Sequence, residues 1–163
     1  MKRKHGDHHK TIKELAMHVW FLGVMGLSLL ASGQALAEPV IIELTQTACQ
    51  FVEVESQDYA FQTKKAADCV VINQRTQDKR LALSEILHLK PGAYVFRVRN
   101  RDVPYTLGFW LRGKGLGRFT LPSVSGGDIQ TNGFKDYAIT LKKGEYLYSC
   151  PLNPTPDYRL LVE

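Results

Sequence analysis

Apolar and polar residues alternate along most of the chain after residue 38, which is typical of half-buried β-strands. Residues 40–45 predict the opening strand. The alternation is clearest in residues 94–99, where aromatic and valine side chains share one face and mostly polar side chains share the other. Residues 105–111 predict another strand, in which Trp110 lies on the side opposite the leucines and phenylalanine.

The end of the chain predicts a strand, a stiff loop and a returning strand. Residues 145–150 alternate up to Cys150, three prolines stiffen the loop, and residues 158–162 form the last strand. Turn signals recur about every 8–12 residues, among them residues 113–118 and 125–128. About seven or eight short strands with such spacing and little helix predict an all-β fold, an antiparallel β-sandwich.

Two stretches depart from this simple pattern. Residues 51–55 predict a short second strand with Glu53 and Glu55 on its solvent face. Residues 56–80 are more polar and predict an insertion, in which apolar residues 69–72 are buried and a short helix begins near residue 75.

The first 37 residues have the order of a secretory signal peptide. A basic lead precedes an apolar run over residues 15–30, and Ala35 and Ala37 stand at the small-residue positions of a cut before Glu38. An uncleaved anchor is the alternative, since the apolar run approaches the length of a membrane span. We expect cleavage, a periplasmic location and a mature domain of residues 38–163. The membrane is then a partner only if the leader stays uncleaved.

Removal of this leader changes the composition. The chain has 21 basic and 16 acidic residues, of which five and two lie in residues 1–37, so the mature domain has a net charge of +2. So small a charge predicts no nucleic-acid partner. The leader also holds every methionine and four of the five histidines, which leaves His88 as the one imidazole of the mature domain.

Three segments, in order and spacing, resemble the cupredoxin family: residues 89–92 (LKPG), 94–100 (YVFRVRN) and 144–150 (GEYLYSC). The resemblance covers most of the chain after about residue 85 and the opening strand. It implies a Greek-key β-sandwich with copper at one end. The ligands it implies are a histidine after an Asn-containing turn, then a cysteine, a second histidine and usually a methionine around the last loop.

Carried over to this sequence, only the cysteine of that ligand set is present, as Cys150. Tyr105 stands where the first histidine would be and Asn153 where the second would be, while the methionine position falls near Asp157 or Tyr158. A blue-copper site needs two imidazoles and a thiolate. The resemblance therefore implies the fold and excludes a normal blue-copper centre within one chain.

Residues 45–51 (TQTACQF) together with 150–154 (CPLNP) resemble most closely the cupredoxin-like domain of EfeO-type periplasmic iron-uptake proteins. In that family the strand after the Asn-containing turn carries glutamates proposed as metal ligands. The matching residues 106–110 (TLGFW) contain no carboxylate. The resemblance therefore supports the fold of that domain for this chain better than it supports its metal site.

The mature domain has three cysteines, and in an exported protein paired thiols persist as disulfides. Because three is odd, one cysteine stays free, binds a metal or pairs between chains. The sequence allows two disulfide pairings, Cys49–Cys69 and Cys49–Cys150. The second is allowed because the fold can bring Cys49 to the end that holds Cys150. We favour Cys49–Cys69, since the insertion otherwise lacks anything to hold it.

The candidate functional residues follow from this resemblance. Cys150 is the candidate metal ligand, with copper as a possible cofactor. Tyr105, Trp110, Asn153 and Tyr158 predict either packing at the end of the sandwich or a partner surface over the vacated copper position. The leading hypothesis is an exported binding or accessory protein that is not an enzyme, has no cofactor and meets a periplasmic protein. The alternative is a copper- or iron-binding or electron-transfer protein with a non-standard site around Cys150.

Overall fold

The computed structural model describes residues 38–163, and the predicted signal peptide lies outside the described residues. Nine strands and three helical segments occur in this part of the chain. The strands are β1 (Val40–Thr47), β2 (Gln50–Phe51), β3 (Leu87–Leu89), β4 (Gly92–Asn100), β5 (Leu107–Gly113), β6 (Val124–Ile129), β7 (Phe134–Leu141), β8 (Gly144–Ser149) and β9 (Tyr158–Val162). The helical segments are α1 (Val52–Glu55), α2 (Ala66–Leu83) and a 3₁₀ helix (Gly115–Phe119).

The strands form two sheets around a shared core, in the orders β2-β1-β4-β7 and β3-β9-β8-β5-β6. β1 runs parallel to β4 and β3 runs parallel to β9, whereas the other described pairs are antiparallel. This is the cupredoxin-like Greek-key β-sandwich that the sequence predicts, with slightly more strands.

The strand register defines two ends of the sandwich. At the cysteine end, Gln46 of β1 pairs with Asn100 of β4, and Cys150 follows β8. The Gln46 side-chain amide donates to the carbonyl oxygen of Gly108 (2.8 Å), and the Gly108 N–H donates to Cys150 Sγ (3.3 Å). The first of these bonds joins the two sheets, and the second links β5 to the residue after β8 within the five-stranded sheet. The opposite end holds the starts of β1, β4 and β8 and the 3₁₀ helix that follows β5.

Aromatic rings fill the space between the sheets. The central five side chains are at most 1% exposed, and the centroids of neighbouring rings among them lie 5.5–6.3 Å apart. Such spacing suits edge-to-face and offset contacts, which stabilise beyond the area they bury. These five residues are Phe51, Phe96, Phe109, Tyr148 and Tyr158.

The predicted insertion contains a longer helix than the sequence indicates, because α2 covers 18 residues. Residues 69–72 belong to this helix, and the prediction of their burial holds for Cys69 but is wrong for Val70 and Val71, which are 45% and 50% exposed. A helix turns its side chains through all directions, so an apolar run of four cannot all face the core. No helix within residues 38–163, α2 included, is both long and apolar enough to span a membrane.

The predicted strand over residues 51–55 is wrong beyond its first residue. β2 ends at Phe51, and the helical turn α1 follows and is capped by Ser56, whose backbone is left-handed (φ 56°). The turn carries Glu55 inward, so this glutamate is 7% exposed instead of facing solvent. The predicted turn at residues 125–128 lies within β6, and the predicted loop at 113–118 contains most of the 3₁₀ helix.

Candidate functional site

The free thiol of Cys150 lies at the cysteine end, directly after β8. It is buried, and its Sγ accepts hydrogen bonds from the N–H groups of Gly108 (3.3 Å) and Asn153 (3.2 Å). Burial raises the pKa of the Cys150 thiol, although the two N–H donors act in the opposite direction. The thiol is therefore protonated at neutral pH and is a weak nucleophile.

Cys49 and Cys69 form a disulfide, with their Cα atoms 5.1 Å apart. This confirms the pairing that we favoured and excludes a bond between Cys49 and Cys150. The disulfide links the turn after β1 to the first half of α2, and both half-cystines are fully buried. It packs with Phe61 and Ile72 in a small second apolar cluster.

Asn153 joins the disulfide to the loop that carries Cys150. Its Oδ1 accepts from the Cys49 N–H (3.1 Å) and from the Tyr105 hydroxyl (3.1 Å), and its Nδ2 donates to the carbonyl oxygen of Thr47 (2.9 Å). Cys69 Sγ also lies 3.1 Å from Oδ1, a close contact without a hydrogen bond because a disulfide sulfur has no hydrogen. Asn153 has no exposed surface. Its side chain is therefore committed to internal contacts.

Tyr105 supports the same arrangement from the other side. Its hydroxyl lies 3.1 Å from Thr63 Oγ1 as well as 3.1 Å from Asn153 Oδ1. Burial raises the pKa of Tyr105 overall, although the hydrogen bond with Thr63 acts in the opposite direction. A neutral phenol at this position donates a hydrogen bond and offers no anionic ligand.

The residues at the expected copper position do not fit copper. Tyr105 and Asn153 replace the two imidazoles, and each already bonds the other. Within residues 38–163 no three His, Cys, Asp or Glu side chains are grouped so that they could hold a metal ion. His88 lies on β3, where it contacts Glu163 (3.1 Å). Cys150 alone remains of the implied ligand set, and its predicted metal role stays untested.

The four residues predicted to form a partner surface do not share one surface. Asn153 and Tyr158 are fully buried, so the packing alternative holds for these two residues and their partner-surface role is corrected. Tyr105 is half-buried among the contacts described above. Trp110 is 41% exposed on the outer face of β5, where the Arg112 guanidinium lies 4.0 Å from its ring centroid. A partner contact at Trp110 remains a prediction.

A buried charge network fixes α2 to the sandwich, and the sequence patterns do not reveal it. Arg80 donates to Glu55 through Nε (2.7 Å) and one terminal nitrogen (2.5 Å), and to the carbonyl oxygen of Cys49 (2.9 Å). The Tyr158 hydroxyl also bonds Glu55. Burial opposes the charge on Arg80, but the hydrogen bond with Glu55 raises its pKa overall. Glu55 and Arg80 are 25 residues apart, so no local spacing signals the pair.

A cleft of about 250 Å³ opens at the cysteine end beside the disulfide. Arg101 and Asp58 form an ion pair at its wall (2.8 Å). Burial disfavours the charge on Asp58, yet the Ala60 N–H and Arg101 lower its pKa overall. Ala60 and Asp102 hold left-handed backbones (φ 53° and 63°), a strained conformation for alanine. The lining residues are Thr47, Ala48, Asp58, Ala60, Phe61, Gln62, Thr63, Arg101, Asp102, Val103 and Pro104.

Comparisons with known proteins give structural similarities only. No family model matches the chain, and no curated protein matches it. The chain is similar to an oxidised variant of amicyanin (14% identity over 80% of this chain and 87% of that chain, TM-score 0.40). It is also similar to amicyanin from Paracoccus versutus (15%, 80% and 86%, 0.39). At these values the similarities carry no functional inference. The fold assignment rests on the strand order and register, and the finer resemblance to the EfeO-type domain stays a prediction.

Proposed function

We propose that this protein is an exported cupredoxin-like binding or accessory module whose cysteine end contacts a periplasmic protein instead of copper. The observation that carries the proposal is the side chain of Asn153. At a position where the family resemblance implies a copper ligand, it binds the backbone of Cys49 and Thr47 and the hydroxyl of Tyr105. The side chain expected at a metal site therefore holds the end of β1, the disulfide loop and Tyr105 together.

The hydrogen bonds of Asn153 hold Thr47 at the wall of the cleft. The cleft also carries a positive and a negative side chain, Arg101 and Asp58. Arg101 uses one guanidinium nitrogen for Asp58, which leaves further donors for a carboxylate or carbonyl of a partner. Phe61 and Pro104 add apolar surface to the cleft. Cleft residues held by a disulfide and a strained loop are ordered before binding, which lowers the entropic cost of association.

A photo-crosslinking residue at Gln62, an exposed position of the cleft, tests this proposal in cells that express the full chain. We expect a discrete adduct with a protein partner. Arg101→Glu should reduce the adduct by about tenfold or more, because it replaces a contact charge with its opposite. The same crosslinker at Lys79, an exposed residue of α2, is the control. Equal adducts at both positions, or an adduct indifferent to Arg101→Glu, would refute the cleft as the contact site.

Copper addition separates the proposal from the metal-binding alternative. The purified protein with equimolar Cu(II) should show no intense visible copper–thiolate band, because two imidazoles are needed beside the thiolate. A band at one copper per chain that disappears in Cys150→Ser would support the alternative, an electron-transfer or metal-binding protein with a non-standard site.

A further inference from the structure

The 3₁₀ helix displays two large apolar side chains to solvent. Leu116 is 84% exposed and Phe119 is 73% exposed, the highest values among the large apolar residues of the part of the chain that the structure describes. No residue of this helix is buried. A single exposed apolar side chain is normal on a protein surface. Two large ones on one short helix form a candidate contact surface.

The protrusion is held in place by its neighbours, so the exposure is a property of the fold. A Cβ atom on Gly113 would lie 2.4 Å from the backbone of Gly117, which shows how closely the chain folds back there. Leu121 follows the helix and packs against Gly117 and Gly144, and its N–H donates to the carbonyl oxygen of Gly117 (2.8 Å). Leu121 therefore anchors the segment while Leu116 and Phe119 project from it.

Basic residues lie in the same segment as the projecting residues and in the neighbouring turn before β8. Lys114 directly precedes the 3₁₀ helix and Arg118 lies within it, while the exposed Lys142 and Lys143 precede Gly144, against which Leu121 packs. Arg118 lies 4.9 Å from the centroid of the Phe119 ring. We call Lys114, Leu116, Arg118, Phe119, Lys142 and Lys143 together the basic tip.

Acidic groups near the basic tip are few, and those present have partners. Glu145 binds Lys114 (2.7 Å) and Arg159 (3.5 Å), and these bonds lower its pKa. Glu163, which follows Val162 beside Gly144, contacts His88 (3.1 Å). Arg118, Lys142 and Lys143 form no ion pair within residues 38–163. The tip thus keeps a positive charge next to its apolar side chains.

We propose that the basic tip docks on the surface of an anionic lipid bilayer. Leu116 and Phe119 enter the interface between headgroups and acyl chains, and the lysines and arginine contact lipid phosphates. Charge complementarity favours an anionic bilayer over a protein, since lysine is depleted at protein interfaces and the tip carries unpaired lysine and arginine beside exposed apolar side chains. This proposal is independent of the partner contact proposed above.

The position of the tip in the fold agrees with this occupant. β1 begins at the same end of the sandwich, because Val40 pairs with Tyr94 near the start of β4, whereas the cleft and Cys150 lie at the cysteine end. Docking through the tip therefore leaves the cysteine end facing away from the bilayer.

Vesicle co-sedimentation tests the proposal with the full chain as purified from the expressing cell. Vesicles of phosphatidylglycerol and phosphatidylethanolamine should bind it more tightly than phosphatidylcholine vesicles, and added salt should weaken the binding. The double variant Leu116→Ser/Phe119→Ser should reduce partitioning about tenfold or more per side chain, as expected for apolar groups withdrawn from the interface. Lys142→Glu/Lys143→Glu should reduce binding to the anionic vesicles selectively.

Matched controls make the result decisive. Val71→Ser/Leu83→Ser removes two other exposed apolar side chains, both on α2, and should leave binding unchanged. Every variant carries the same N-terminal segment, so a difference between them reports the tip. Equal binding of the tip variants and the wild type, or equal binding to both vesicle types, would overturn the proposal. So would a tip variant that changes only self-association, measured by sedimentation without lipid.

Discussion

Asn153 shows how one side chain determines the chemistry of the cysteine end. An imidazole with two ring nitrogens can present one of them to a metal, whereas the amide of Asn153 uses its oxygen and nitrogen on Cys49, Thr47 and Tyr105. The backbone N–H of the same residue binds Cys150 Sγ. A single buried residue therefore supports the disulfide, the end of β1 and the free thiol.

Asn153→Ala should lower the free energy of unfolding by about 2–4 kcal/mol, because it leaves the buried N–H of Cys49 and carbonyl of Thr47 without partners. Urea unfolding followed by circular dichroism measures this. Gln74→Ala, at an exposed position of α2, is the control and should change little. A loss no larger than the control would show that Asn153 does not stabilise the cysteine end.

At the level of elements, α2 is attached to the sandwich at two separated points. Cys69 in its first half bonds Cys49, and Arg80 near its end bonds Glu55. Asn73 lies between them and donates to the carbonyl oxygen of Pro154 (2.6 Å), so the helix also holds the loop after Cys150. Helix α2 is therefore held against the cysteine end by a disulfide, a hydrogen bond and an ion pair. These contacts explain why the polar insertion folds onto the sandwich.

Breaking the buried pair should destabilise the protein more than removing both charges. Arg80→Met or Glu55→Gln should each cost about 3–5 kcal/mol, since the remaining group is buried without its partner. The double variant should lose less than the sum of the two single changes. Urea unfolding of all four proteins gives this coupling, and Lys79→Met is the control. Additive losses would show that the ion pair does not couple α2 to α1.

At the scale of the whole molecule, the proposed contacts lie at opposite ends of one rigid sandwich. The cysteine end bears the cleft, and the opposite end bears the basic tip. Most arginines between them are neutralised locally: Arg97 bonds Asp136 (2.7 Å) and Arg112 bonds Asp157 (2.7 Å). Arg118, Lys142 and Lys143 of the basic tip, by contrast, form no ion pair within residues 38–163.

Buried tyrosines should make the fold sensitive to alkali. Burial raises the pKa of Tyr137 from 10.0 to about 12 and also raises those of Tyr146, Tyr148 and Tyr158. Unfolded tyrosines ionise first, so this contribution is complete below pH 10 and is lost as the pH rises through 10 toward about 12 and beyond.

The measurement is the urea midpoint as a function of pH, with tyrosinate absorbance as a second signal. Tyr137→Phe should reduce the slope of stability against pH between 10 and about 12, because it removes one of the groups responsible. Tyr59→Phe, in the segment before α2, is the control. An unchanged slope in Tyr137→Phe would contradict the assignment of that pKa.

The sequence by itself determined the β-sandwich, the inward aromatic positions and the loss of the imidazole ligands. Period-2 alternation, turn residues and the count of histidines are local or additive properties, so they can be obtained without coordinates. The Cys49–Cys69 pairing was favoured on the need to hold the insertion. For Asn153 and Tyr158 the sequence left packing and a partner surface open, and only the structure places both inside the domain, because exposure depends on what packs over a residue.

Only the tertiary structure decided the Glu55–Arg80 pair, the cleft and the basic tip. Each joins residues far apart in the chain: 25 positions separate Arg80 from Glu55, 43 separate Arg101 from Asp58, and the tip unites the 3₁₀ helix with the turn before β8. Sequence patterns encode the period of one element. Contacts between elements depend on how strands pair and where a helix docks, and these are consequences of the whole chain folding together.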